Sequence, residues 1–182
     1  MIESSSVRLR IRAAEPADVP DIARIWQEGW ADGHAGHVPE ELYRHRTPET
    51  YPPRVIERIG ATWLAERDGA ALGFVVVIGD EVEQVYVDAA ARGTGGAALL
   101  LEHAEHVIAG AGHERAWLAV VSGNARARAF YERAGWQDAG AFDYEAETAS
   151  GFVLVPCRRY EKSLTARYPA AHARRGRSVR VV

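Results

Sequence analysis

The chain is nearly empty of sulfur chemistry, with one cysteine, Cys157, in 182 residues. A lone thiol closes no internal disulfide, which fits a reducing compartment. Its strand-like surroundings read as packing, not as a nucleophile. Long apolar runs are missing as well. The longest, such as Phe74–Gly79, fall far short of the roughly 20 residues that span a bilayer. Met1–Arg8 lacks the apolar run of a signal peptide, so a soluble, cytoplasmic protein that avoids membranes is expected. Charge of one sign is also scarce. The net charge of −3 gives no footprint for nucleic acid. There is no Gly-x-Ser-x-Gly elbow. His34-x-x-His37 and His103-x-x-His106 lack a third ligand in a zinc pattern, so no metal is expected. His103 and His106 are expected on the solvent side of their helix.

What is present is ordinary for a globular domain: 47% hydrophobic and 26% charged residues, at a length that suits one core. The expected organisation is a single domain over residues 1–164 and a flexible basic tail over 165–182, with Arg167, Arg174, Arg175, Arg177 and Arg180. Val7–Ala13 alternates apolar and charged residues, as a half-buried strand does. Asp18 is a plausible N-cap for a helix with Val19, Ile22, Ala23, Ile25 and Trp26 on one side. Gly29–Pro53 reads as a mobile region with a short helix near Pro39–His45, and another short helix follows near Arg54–Gly60. Thr62–Arg67 and Ala71–Ile78 flank Asp68-Gly69, a hairpin signal. A strand Glu81–Val87 precedes a helix Ala97–Ala109. Then come a strand Ala116–Val121, a helix Asn124–Ala134, and two strands, Trp136–Tyr144 and Gly151–Tyr160. The predicted class is α/β: a mixed central sheet of six to seven strands, antiparallel in its first half, with a strand–helix–strand crossover and about four flanking helices.

Glycines crowd the junction between Glu81–Val87 and the following helix, at Arg92-Gly93-Thr94-Gly95-Gly96-Ala97. Residues without a Cβ let backbone approach a ligand closely. A helix start offers unpaired N–H groups and the positive end of its dipole, which together attract phosphate or pyrophosphate. Gly93-x-Gly95-x-x-Ala98 also satisfies a relaxed dinucleotide fingerprint. That reading needs an acid at the end of the next strand, where Val121-Ser122-Gly123 offers none.

The stretch Val85–Leu100, with Arg92, Gly95 and Ala97 at its core, resembles the acyl-CoA signature of the GCN5-related N-acetyltransferase (GNAT) superfamily. Ala89 stands where many members have proline. Asn124-Ala125-Arg126-Ala127-Arg128-Ala129-Phe130-Tyr131-Glu132-Arg133-Ala134-Gly135-Trp136 is similar to a second family segment, and Arg12–Asp18 looks like the family's first strand and turn. The resemblance covers roughly residues 7–162.

It implies acetyl transfer from acetyl-CoA to an amine of a small molecule, peptide or protein by direct attack. In this chain the pyrophosphate would rest on Arg92, Gly93, Thr94, Gly95, Gly96 and Ala97. The pantetheine arm would run along Val85, Tyr86 and Val87, with Asn124, Arg128 and Tyr131 as further cofactor contacts. Asn124 also suits a helix N-cap. A lysine-like amine has a pKa near 10.4, so stripping its proton near neutrality costs roughly 4–5 kcal/mol, and a base is expected. Strand residues two apart share a face, which makes Glu81 and Glu83 the candidates. Comparison with relatives favours Glu81. Tyr131 corresponds to a residue that often protonates the departing thiolate. The acceptor pocket would draw on Trp26, Trp30, His34, His37, Tyr43 and Tyr144, whose other role is packing. Relatives are often homodimers. The competing readings are an acyl-CoA-binding module without turnover, acting as sensor or scaffold, and a nicotinamide enzyme.

Overall fold

A computed structural model describes residues 9–165 and 167–168. The expected basic tail lies outside the described residues, except at Thr165, Arg167 and Tyr168. In chain order the elements are β1 (Arg10–Ala13), α1 (Val19–His34), α2 (Glu40–Tyr43), α3 (Tyr51–Arg58), β2 (Thr62–Arg67), β3 (Ala70–Ile78) and β4 (Glu81–Val87). Then follow α4 (Gly96–Gly110), β5 (Arg115–Val121), α5 (Ala125–Arg133), β6 (Gln137–Thr148) and β7 (Gly151–Ser163). The strands form one seven-stranded sheet in the order β1-β2-β3-β4-β5-β7-β6. Neighbours are antiparallel except β4 and β5. The predicted mixed sheet with its crossover is therefore what forms.

Both sheet faces are covered, and β3 shows why its sequence is a continuous apolar run. Phe74 and Val76 face a core with Trp26, Tyr51 and Val55 from α1 and α3. Val75 and Val77 face a second core with Leu100, Leu101 and Ile108 from α4. The β2–β3 turn places Asp68 and Gly69 at φ of 54° and 78°, the paired positive values that a tight hairpin needs.

Strand β4 departs from simple alternation. Val76 pairs with Gln84 and Val77 with Val82, so Glu83 is an extra residue in the ladder. This β-bulge re-aims the side chains beyond it. Val82 packs on the α4 side, and so do Val85 and Val87, while Tyr86 packs with α1.

Several local expectations needed correction. The region expected to begin at Gly29 opens helically, because α1 continues to His34. A Cβ on Gly29 would sit 2.4 Å from the Tyr86 ring, and one on Gly33 would sit 3.2 Å from Asn124 Nδ2. The two glycines, one turn apart, let α1 lie close on β4 and on the start of α5. Asp18 occupies the N-cap position of α1 but makes no capping bond there. Its carboxylate instead accepts from Arg12 Nη1 and Nη2, at 2.6 and 2.8 Å, and from the Glu15 N–H. That arginine holds the Asp18 carboxyl below the usual range. His103 is half-buried, tilted against Trp63 at 5.4 Å, whereas His106 is exposed as expected.

Glu105 on α4 is only 1% exposed. Its Oε1 accepts from Lys162 at 2.7 Å and from Trp136 Nε1 at 3.1 Å. A buried carboxylate is tolerable when paired and hydrogen-bonded in this way. The network fastens α4 to the end of β7 and to Trp136, just before β6.

Candidate active site

Strands β4 and β5 pair at a single register position, Glu81 opposite Trp117. The junction is pinned by Trp117 N–H to Asp80 O at 3.0 Å and by Trp117 Nε1 to Asp80 Oδ1 at 3.1 Å. Beyond it the two strands part. The gap belongs to a cleft of about 800 Å³, walled by Val85, Tyr86 and Val87 on one side and Leu118, Val120 and Val121 on the other. An unpaired strand edge offers backbone donors and acceptors to an extended ligand.

At one end the cleft meets the start of α4. The N-cap residue Gly95 has φ of 87°, and Gly93 has φ of 77°. A Cβ at either position would point into open space, so the glycines are there for their backbone conformation and not for lack of room. Among the described residues, the N–H groups of Gly93, Gly96, Ala97 and Ala98 reach no backbone carbonyl outside regular elements. Those of Gly96, Ala97 and Ala98 are the orphan donors of a helix start, and Gly93 precedes them in the same loop. Gly93, Gly95, Gly96 and Ala97 line the cleft, but Thr94 does not. The Thr94 hydroxyl turns back to Ala91 O at 2.7 Å. Arg92 and Arg126 both reach Asp32 of α1, with Arg92 at 2.9 Å. The donor set of amides and arginines suits a diphosphate.

At the junction stands Glu81, and burial followed by repulsion from Glu83 pushes its carboxyl up to about 7. Tyr144 donates to Glu81 Oε1 at 3.3 Å. Glu83 lines the same cleft but is held by Arg58, whose Nε and Nη2 lie 2.8–3.0 Å from its oxygens. The bulge lets both glutamates and Tyr86 serve one face, where simple alternation would set Tyr86 on the other.

Across the cleft, α5 contributes Asn124, Arg126, Phe130 and Tyr131. Asn124 caps the helix, its Oδ1 accepting from Ala127 N–H at 3.0 Å, while its Nδ2 donates to Gly33 O at 3.1 Å. Tyr131 packs against Phe130, Trp136 and Tyr160. Burial raises its pKa well above the ordinary phenol value, so the hydroxyl keeps its proton at neutral pH.

Besides Thr94, three expected contacts lie elsewhere. Arg128 does not line the cleft; its guanidinium goes to Tyr160 Oη at 3.3 Å and to Asp138 at 3.7 Å. Tyr43 is also off the lining, its hydroxyl bound between His34 O and Gly36 N–H. His37 packs against Gly123. Trp26, Trp30, His34 and Tyr144 do border the cleft. Trp30 stacks on His34 at 4.9 Å, and burial pulls the imidazole down to about 4, which leaves it neutral. Cys157 also borders it, its thiol pushed up to about 12 by burial. Among the described residues no cluster of three metal-ligating side chains occurs, and no helix is long and apolar enough to cross a membrane.

Sequence reasoning missed Arg46, Arg54 and Arg58, which border the acceptor end of the cleft. Arg54 and Arg58 are one turn apart on α3, and that spacing alone puts them on one face. Which way the face points depends on how α3 packs on α1.

The architecture is one found among N-acetyltransferases of known structure. One from Staphylococcus aureus Mu50 superposes with a TM-score of 0.66 and 20% identity, over 86% of this chain and 99% of its own. PaiA N-acetyltransferase from Thermoplasma acidophilum, solved with coenzyme A, gives 0.63 at 18% identity, over 86% and 99%. A ribosomal-protein-alanine N-acetyltransferase from Brucella melitensis gives 0.64 at 19% identity, over 85% and 99%. The sequence narrows this further. The Acetyltransferase (GNAT) family model matches residues 20–136, and the chain belongs to that family. No curated protein matches it in sequence.

Proposed function

We propose that this acetyltransferase moves the acetyl group of acetyl-CoA directly onto an amine held beside Glu81. The observation that carries the reading is the split between β4 and β5, open beside the bare amides of α4 and closed at a carboxyl group that titrates near 7. Acetyl-CoA supplies the activated acyl group. The amides of Gly93 and Gly95–Ala98, with Arg92 and Arg126 nearby, hold its diphosphate. The free edge of Val85–Val87 aligns its arm as an added strand and turns a backbone N–H toward the thioester carbonyl.

Glu81, as the carboxylate, takes the proton from the incoming ammonium. The neutral nitrogen forms its bond to the acyl carbon as the carbon–sulfur bond breaks, and the new amide nitrogen sheds its remaining extra proton to solvent. Tyr131 gives its hydroxyl proton to the leaving sulfur and is reprotonated from solvent. Glu83 is less suited to the base role because Arg58 already engages both its oxygens. Release of coenzyme A thiol, measured over a broad amine panel, tests the reading. Acetyl-CoA-dependent release that requires an amine supports it. Tight coenzyme A binding with no release from any amine would favour a non-catalytic acyl-CoA-binding module.

A further inference from the structure

At the acceptor end of the cleft, where Glu81, Glu83, Glu145 and Glu147 also lie, two of three arginines have no ion-pair partner among the described residues. Arg46 follows α2, and Arg54 and Arg58 lie on α3; all three border the cleft and are half-buried. Glu83 and Glu147 both go to Arg58, at 2.8 and 3.0 Å. Among the described residues neither Arg46 nor Arg54 has a carboxylate partner. Arg46 donates to His45 O at 3.1 Å and Glu147 O at 2.9 Å, and Arg54 donates to Glu147 O at 3.4 Å. Arg54 Nε is fully buried and bonds to nothing. The Trp26 ring lies 5.3 Å from its guanidinium, and Glu83 and Glu147 add attraction from beyond ion-pair distance. Glu145 is exposed at the same end and, among the described residues, forms no ion pair.

A guanidinium has no acid–base escape near neutrality, and an unsatisfied buried donor costs about 1–3 kcal/mol. Burial and the neighbouring arginines pull Arg46 down to about 10 and also lower Arg54. Carbonyl oxygens alone do not offset two such charges. An anion seated between them would pair with both guanidinium charges. Glu147 O, shared by both side chains, holds them at the rim where the β6–β7 hairpin crosses α3.

We infer that the acceptor is a small amine that also bears an anionic group, a carboxylate or phosphonate, which Arg46 and Arg54 bind while its nitrogen faces Glu81. The inference rests on the transferase reading above. The anion gives orientation as well as affinity, since two fixed points aim the nitrogen. Leaving the arginines unpaired would penalise neutral amines of the same shape.

The test uses the full chain with acetyl-CoA and matched acceptors: α-, β- and γ-amino acids and aminoalkylphosphonates, each beside its neutral amide or ester. Thiol release should give the anionic member the higher kcat/KM by ~10–100-fold. Arg54→Gln and Arg46→Gln should collapse that ratio toward unity, chiefly through KM, and Arg54→Lys should retain part of it. Unchanged coenzyme A affinity by calorimetry would show these variants to be folded. Neutral partners used as well as the anions, or a ratio that survives both substitutions, would overturn the inference and leave the transferase intact. If no acceptor releases thiol, the transferase reading fails separately. Direct binding of the same pairs to coenzyme-A-loaded protein then decides: a preference for the anion that the variants lose supports the arginine site, and equal binding removes it.

Discussion

At the scale of single residues, proton affinity is set by surroundings. Glu81 has an ordinary value of 4.5 and is raised to about 7, first by burial and then by Glu83. It is therefore ready to accept a proton near neutral pH without being fully charged below it. The kcat/KM profile should rise through about pH 7, and Glu81→Gln should lose that limb and at least ~10²-fold in rate. An unchanged profile would remove Glu81 as the base. The same shift has a stability consequence of definite sign. Between 4.5 and about 7 the folded protein holds a proton that the unfolded chain has released, so this group weakens folding as pH rises through about 7. Glu81→Gln should therefore gain in melting temperature relative to the parent as pH is raised from ~5 to ~8. A constant difference across that range would mean the carboxyl is not displaced. For Tyr131, replacement by Phe keeps the ring among Phe130, Trp136 and Tyr160. Turnover should drop by ~10²-fold with little change in coenzyme A affinity, and equal turnover would rule out the acid role.

At the scale of elements, the helix start and the strand gap act together, and they were not equally legible. The loop Arg92–Ala97 announced itself, because glycines before an amphipathic helix have few other uses. A Cβ on Gly95 would meet no atom, yet the residue sits at φ of 87°. Gly95→Ala should thus cost about 1–2 kcal/mol of stability from backbone strain and weaken coenzyme A binding by more than the strain explains, measured by urea unfolding beside calorimetry. The bulge at Glu83 left no signature in the alternation. Counting by twos put Glu81 and Glu83 on one face correctly, but it could not show Tyr86 joining them. Gly29 and Gly33 looked like loop residues because composition does not distinguish a mobile glycine from one that lets two elements touch. Glu105 was hidden for a related reason, since its partner Lys162 lies 57 positions away. Glu105→Ala should cost roughly 1–3 kcal/mol by removing the carboxylate from the half-buried Lys162 ammonium, which keeps only Ala134 O, and no measurable loss in urea unfolding would show the network to be dispensable.

At the scale of the whole molecule, sheet order follows from local patterning more than the acceptor end of the cleft does. Strand and helix periods, the Asp68-Gly69 hairpin and the crossover at β4–α4–β5 fix the mixed sheet. Arg58 meets Glu83 and Glu147, and Arg46 and Arg54 meet the Glu147 carbonyl, only because β4, α3 and the β6–β7 hairpin converge from distant parts of the chain. Arg128 shows the converse: its motif position suggested the cofactor, but packing turned it to Tyr160 and Asp138. The account as a whole stands on the open β4–β5 edge receiving coenzyme A. Amide chemical shifts of the labelled protein, followed during titration with coenzyme A, test this most directly. Saturable shifts should concentrate at Val85–Val87, Gly93 and Gly95–Ala98. Binding that leaves those amides in place and moves others, or no binding at all, would contradict the account.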